Sequence, residues 1–171
     1  MSQSVTAIGD ALLTQEQARA KIRRRLRRSP TAASNGEFLL HPMWIAQAEV
    51  IADRPPFRPV VRPTLIFVDA VSEYRGQLTT VPHTQQVDRH ASTVHRVRIR
   101  DEQRARELVQ DVQTQQINRS YVLRKPRHEI RRLELLYLPL WRFDPGKGGD
   151  IAVVNAVTGA DESYLASRWD G

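Results

Sequence analysis

Val68-Asp69-Ala70-Val71-Ser72 in the first half of the chain and Val154-Asn155-Ala156-Val157-Thr158 in the second spell one pattern: Val, an Asx residue, Ala-Val, then a hydroxyl residue. Two further pairs accompany it. Thr14-Gln15-Glu16-Gln17-Ala18-Arg19 matches Asp101-Glu102-Gln103-Arg104-Ala105-Arg106, and Leu40-His41-Pro42-Met43-Trp44 matches Tyr137-Leu138-Pro139-Leu140-Trp141. The Asx, helix and tryptophan pairs lie 86, 87 and 97 residues apart. The first two offsets nearly agree, and the third requires a loop inserted between helix and tryptophan in one copy. Repetition at a near-constant offset signals a duplicated structural unit.

Working outward from the repeated pattern, Thr14 with Gln17 three residues on reads as a capping box opening a helix. Ala18, Ile22 and Leu26 then recur every four residues as a narrow apolar stripe, and Ser29-Pro30 ends it. Trp44, Ala46, Ala48 and Val50 alternate with Ile45, Gln47, Glu49 and Ile51, as in a strand. Arg54-Pro55-Pro56-Phe57-Arg58-Pro59 predicts an extended or polyproline-like connection. Thr64 to Val71 reads as a buried strand, and Gln77 to Val81 as a short one. In the second half, Val94 to Arg100 alternates. Asp101 caps a helix whose stripe is Ala105, Leu108, Val109 and Val112. Tyr121 to Leu123 reads as a short strand and Arg132 to Phe143 as a long one, with Pro139 at a bulge or edge. Residues 144–149 form a hairpin loop, and Ile151 to Val157 returns.

The predicted fold class is therefore α+β, with two pseudo-repeated helix-plus-antiparallel-sheet units. The first spans residues 1–82 and carries the Arg-rich helix. Residues 83–93 are a polar linker, and 94–171 form the second unit with a C-terminal tail. A helix opening Thr-x-Glu-x-Ala, a strand with aromatics and a last strand reading Val-Asp/Asn-Ala-Val-Thr/Ser resemble PepSY-type, broadly cystatin-like units. The last strand of those families commonly reads Val-Asp-Ala-x-Thr-Gly. Val154 to Gly159 fits this pattern, whereas Val68 to Glu73 departs at the last position. The resemblance implies a binding or regulatory module, often without catalytic residues.

Composition narrows the function classes. The chain has 171 residues and no cysteine, so disulfides, thiolate nucleophiles and Cys-based zinc sites are excluded. No positive n-region followed by an apolar run opens the sequence, and no stretch approaches the ~20 apolar residues of a membrane span. A cytoplasmic setting without a membrane span is expected. The net charge of +7 equals the seven cations between Arg19 and Arg28, a segment with no acid. Arg124, Lys125, Arg127, Arg131 and Arg132 form a second, partly offset basic cluster. Local basicity of this kind attracts phosphate, anionic lipid or an acidic protein face.

No catalytic set, metal or cofactor is expected. The histidine spacings match no ligand pattern. Gly146-Lys147-Gly148-Gly149 lacks the P-loop arrangement. The change from Asp69 to Asn155 argues for a shared turn role rather than acid/base chemistry. Trp44 and Trp141 fill equivalent core positions, or, if exposed, anchor an interface. Pro56-Phe57-Arg58-Pro59 is a PxxP match, read as a rigid connector. The leading expectation is a non-enzymatic protein-binding or scaffold module that engages an acidic protein surface or multi-subunit assembly. Its partner-binding residues are Arg19, Arg23, Arg24, Arg27 and Arg28 on the first helix. Nucleic-acid binding through the same helix, joined by the second cluster, is the alternative. A small-ligand or enzymatic pocket between helix and sheet is the third class, favoured by a deep pocket holding Asp69, Tyr137 or a histidine.

Overall fold

The structure, a computed structural model, describes residues 4–26, 35–89, 93–144 and 150–169, with the backbone alone for 23–26. Its elements are β1 (Ser4–Ile8), α1 (Gln15–Leu26), β2 (Gly36–Arg54), β3 (Phe57–Asp69), β4 (Arg75–Leu78), β5 (Thr84–Asp88), β6 (Thr93–Val94), α2 (Glu102–Val112), β7 (Arg127–Phe143), β8 (Ala152–Asn155) and α3 (Ser163–Ala166). Strand dominates helix, 48% against 21%, and the strands form a single mixed sheet. Its order is β4-β3-β2-β7-β1-β5, with β6 on β2 and β8 on β7.

This corrects the expected pair of helix-plus-sheet units. The expectation divides the chain into short local windows, but β2 and β7 are 19 and 17 residues long. These two strands are neighbours in one sheet, so the ladder does not stop where a copy would end. Backbone N–H and C=O groups along such strands need partners, and sheet pairing supplies them irrespective of sequence distance.

By contact density the chain divides into two compact units, each discontinuous in sequence. One comprises Met1–Pro42, Pro82–Arg96 and Leu136–Gly171; the other comprises Met43–Val81 and Val97–Leu135.

In the unit built on Met43–Val81, β2 and β3 form a long antiparallel hairpin. Their register runs from Met43 opposite Asp69 to Ala52 opposite Val60, and β4 extends it beyond β3. Alternation places Trp44, Ala46, Val50, Ile66 and Val68 in one apolar core with Ala105, Leu108, Val109 and Val112 of α2. Each large aliphatic side chain buried there contributes about 1.5–3 kcal/mol. Asp101 caps α2 by accepting a hydrogen bond from Gln103 N at 3.0 Å. Beyond Val112 the helix passes into a π-helical turn, Gln113–Ile117, and a 3-10 turn, Asn118–Ser120.

In the other unit, the capping box of α1 forms as expected: Gln17 N donates to Thr14 Oγ1, and Thr14 N donates to Gln17 Oε1. Ala18 and Ile22 pack with Phe143, Ala152 and Val154, beside Trp141. Strand β8 runs antiparallel to β7, and β1 antiparallel to β5.

Several local expectations change. The Arg54–Pro59 connection is instead a tight hairpin turn. Arg54 stands opposite Phe57, and Pro55-Pro56 is cis. The polar stretch read as a linker contains β5. Of the alternating Val94–Arg100 run only its first residue is strand, within β6, which pairs in parallel with Leu39 and Leu40 of β2. Past it, Arg98 N and Ile99 N both donate to Ala70 O, a convergence that no regular ladder makes. Tyr121 to Leu123 form no strand, and residues 145–149 of the predicted hairpin lie outside the described residues.

Candidate functional site

The repeated Val-Asx-Ala-Val pattern folds into two equivalent turns. Asp69 Oδ1 accepts from Val71 N at 2.8 Å and Ser72 N at 3.2 Å. Asn155 Oδ1 accepts from Val157 N at 2.9 Å and Thr158 N at 3.0 Å. Only an oxygen acceptor is needed for this, so Asp and Asn serve equally. Trp44 faces Val68 in register and donates from Nε1 to Ile99 O at 2.8 Å. Trp141 faces Val154 and donates to Leu13 O, also at 2.8 Å. Both tryptophans are therefore framework: Trp44 is buried and Trp141 half-buried.

Of the arginines on the Arg-rich helix, only Arg19 has a described side chain. It is half-buried, with its guanidinium 5.7 Å from the centre of the Phe143 ring. The side chains of Arg23 and Arg24, and the whole of Arg27 and Arg28, lie outside the described residues.

Three arginines of the second basic cluster are ion-paired. Arg127 pairs with Asp53, Arg131 with Glu49 and Glu129, and Arg132 with Glu134. The hydrogen bond from Arg127, above all, holds the Asp53 carboxyl below the usual carboxylate range; the positive fields of Arg127 and Arg124 add to it. Lys125 is committed differently. Its Nζ donates to Asn118 O at 3.0 Å and Tyr121 O at 2.9 Å, bracing the base of the 121–124 loop.

Arg124 remains available, and the fold gives it new company. An open pocket of about 480 Å³ is lined by Ala52, Asp53, Arg54, Val60 and Arg62 of the β2–β3 hairpin. Its other wall runs from Ser120 to Arg124. Arg54, Arg62 and Arg124 are exposed, as are Arg58 and Arg119 on the same two segments. None of the five makes an ion pair among the described residues. Asp53 is the one carboxylate in the pocket lining, and Arg127 already binds it. Between the arginines stand Val122 and Leu123, 88% and 101% exposed. Phe57, at the hairpin turn, is 73% exposed.

Known protein families, curated proteins and solved structures offer no match to this chain. Its site is therefore read from its own residues. The pocket lining contains neither Asp69, Tyr137 nor a histidine. Among the described residues no three or more His, Cys, Asp or Glu side chains gather in a metal-binding group. Buried His41 and half-buried His95 form a pair: His41 Nδ1 lies 2.9 Å from His95 Nδ1, with Trp169 stacked on His41 at 4.4 Å. Among the described residues no helix is long and apolar enough to cross a membrane.

Chemically, the hairpin and loop offer three or more uncompensated guanidinium groups around an apolar lining. Guanidinium groups so placed can hydrogen-bond an anion. Nothing in the linear pattern marks Arg54 and Arg62 as site residues. They lie about 60–70 residues before Arg124, and only hairpin pairing and the turn after α2 bring them to one pocket. The available signal is the spacing of Arg54, Arg58 and Arg62 around Pro and Phe without an acid between them.

Proposed function

We propose that this chain is a non-enzymatic binding or accessory module that engages a negatively charged partner surface. The expectation of an acidic partner carries over, and the described site for it is the arginine pocket of Arg54, Arg62 and Arg124. One observation carries this reading: among the described residues Arg54, Arg62 and Arg124 form no ion pair, while Arg127, Arg131 and Arg132 do. A basic group already paired gains little from a new anion, because it must first surrender its own. Unpaired, exposed arginines attract an anion without that loss. The Arg-rich segment from Arg19 to Arg28 adds cationic charge to the same chain.

Retention on polyglutamate-coated beads tests the reading. The chain is expected to bind at low salt and to elute as salt rises, because exposed charges are screened within about 10 Å at 0.1 M. The triple variant R54E/R62E/R124E is expected to lose retention while keeping the circular dichroism of the parent. An equal set of reversals at Arg127, Arg131 and Arg132 is expected to weaken retention less. Retention unchanged in the first variant rejects the pocket as the site.

A phosphate backbone is the second reading, supported by Tyr121, which lines the pocket beside Arg124 and offers an aromatic face. It requires affinity for unrelated oligonucleotides to fall linearly in log–log form with salt.

A further inference from the structure

Charge sets the sign of the partner, and the apolar tips set its class. We infer that the partner is an anionic lipid surface, which the chain contacts with the Val122–Leu123 loop and the Phe57 hairpin turn. This rests on the reading of the arginine pocket as the anion-binding site.

Three features of the same end of the β2–β3 hairpin unit lead there. First, Val122 and Leu123 at the rim of the pocket, and Phe57 at the hairpin turn, are strongly exposed. Leu123 is as exposed as a free side chain, at 101%, and Val122 nearly so, at 88%. Apolar side chains held fully in water lose hydrophobic stabilisation that any apolar phase restores.

Second, each tip is flanked by unpaired cations. Arg119 and Arg124 bracket Val122 and Leu123, and Arg54, Arg58 and Arg62 bracket Phe57. Apolar tips between arginines match the layering of an anionic bilayer, where headgroup phosphates lie just above hydrocarbon. A phosphate backbone offers no such layer for Leu123 or Val122 to enter.

Third, the loop is pre-ordered. Lys125 Nζ binds the carbonyl oxygens of Asn118 and Tyr121, and Pro126 behind it is buried. The tips are thus held outward by the fold at little further ordering cost on docking. Neither basic residues nor exposed aliphatics alone suffice for stable surface binding, and two signals acting together do.

Co-sedimentation of the full chain with large vesicles tests this. The probes are vesicles of phosphatidylcholine alone and of phosphatidylcholine mixed with phosphatidylserine. Binding is expected to the mixed vesicles and to be at least about tenfold weaker to the neutral ones, since each arginine near an anionic surface contributes about fivefold. V122S/L123S, which leaves every charge in place, is expected to weaken mixed-vesicle binding by about tenfold or more. Phe57→Ser, outside the pocket lining, is expected to bind polyglutamate beads as the parent does while losing vesicle binding. All three positions are exposed, and unchanged thermal unfolding of the variants checks their fold.

Polyglutamate binding without vesicle binding overturns the lipid assignment and leaves the anion-binding reading standing. Vesicle binding that is insensitive to V122S/L123S overturns the role of the tips. Tight oligonucleotide binding without vesicle binding assigns the surface to a phosphate backbone instead. Binding to none of the three probes overturns both this inference and the reading on which it rests.

Discussion

Asn155 Nδ2 donates a hydrogen bond to Glu162 Oε1 at 3.3 Å, while Asn155 Oδ1 holds the turn to Val157 and Thr158. One amide side chain thus joins β8 to the start of α3 and closes its own turn. Burial raises the Glu162 pKa above its ordinary 4.5; the Asn155 hydrogen bond opposes that shift, and the charge of Asp161 adds to it.

The shift has a definite sign in stability. A carboxyl with a raised folded pKa binds more protons folded than unfolded, so stability falls as pH rises. The contribution is fully present below about pH 4.5 and is lost as pH rises through the folded pKa. Glu162→Gln keeps an acceptor for Asn155 and removes the buried charge. Urea unfolding across acidic to neutral pH is expected to give a flatter profile for the variant, with equal or greater stability near pH 7. Parallel profiles would show that Glu162 does not carry the effect.

His128 titrates with the opposite sign. Its Nε2 lies 2.8 Å from Asn118 Oδ1, an acceptor, so Nε2 carries the hydrogen. Its Nδ1 is buried without a partner among the described residues, and desolvation lowers the ring's pKa from 6.5. A base with a depressed pKa contributes stability above its unfolded pKa and loses it as pH falls through the folded one. The parent is expected to lose stability from about pH 6.5 downward, and His128→Gln to lose less there. The acid limb of thermal unfolding, measured for both proteins, checks this.

The two Asx turns are expected to be comparably sensitive. Asp69→Ala and Asn155→Ala each strip an acceptor from two backbone N–H groups in buried or half-buried turns. The expected cost is about 1–3 kcal/mol each, read as a shift in denaturant midpoint. A cost near zero at either site assigns that turn to the surrounding ladder instead of the side chain.

The tryptophans should separate by burial. Trp44→Phe leaves Ile99 O without its donor inside the core, expected to cost about 1–3 kcal/mol. Trp141→Phe frees Leu13 O near the surface, where water replaces the indole, and is expected to cost about 0.5–1.5 kcal/mol. Equilibrium unfolding of the two variants tests the order, and a larger loss at Trp141 overturns it.

Much of the local structure is legible in the chain. The capping residues Thr14, Gln17 and Asp101, the α2 stripe of Ala105, Leu108, Val109 and Val112, and the strand alternation at Trp44–Val50 follow from interactions spanning a few residues. The equivalence of Asp69 and Asn155 follows as well, because an Asx turn is made by one side chain and its next neighbours. The fold class does not follow in this way. Periodicity identifies strands but not their partners, and the neighbouring placement of β2 and β7 gives one mixed sheet in place of the two expected helix-plus-sheet units. Phe57 opposite Arg54 likewise turns an expected connector into a hairpin tip.

The sequence alone determined α1 and α2 with their caps, the Asx turns, the absence of cysteine chemistry and the excess of positive charge, all of them local or additive properties. Tertiary structure alone decided which charges remain open. Arg127, Arg131 and Arg132 are silenced by Asp53, Glu49, Glu129 and Glu134, while Arg54, Arg62 and Arg124 meet around one pocket. Two of these ion pairs, Arg127–Asp53 and Arg131–Glu49, join residues far apart in the chain and meet through strand pairing. A guanidinium group's availability depends on which carboxylate lies within a few ångströms, and strand pairing sets that distance.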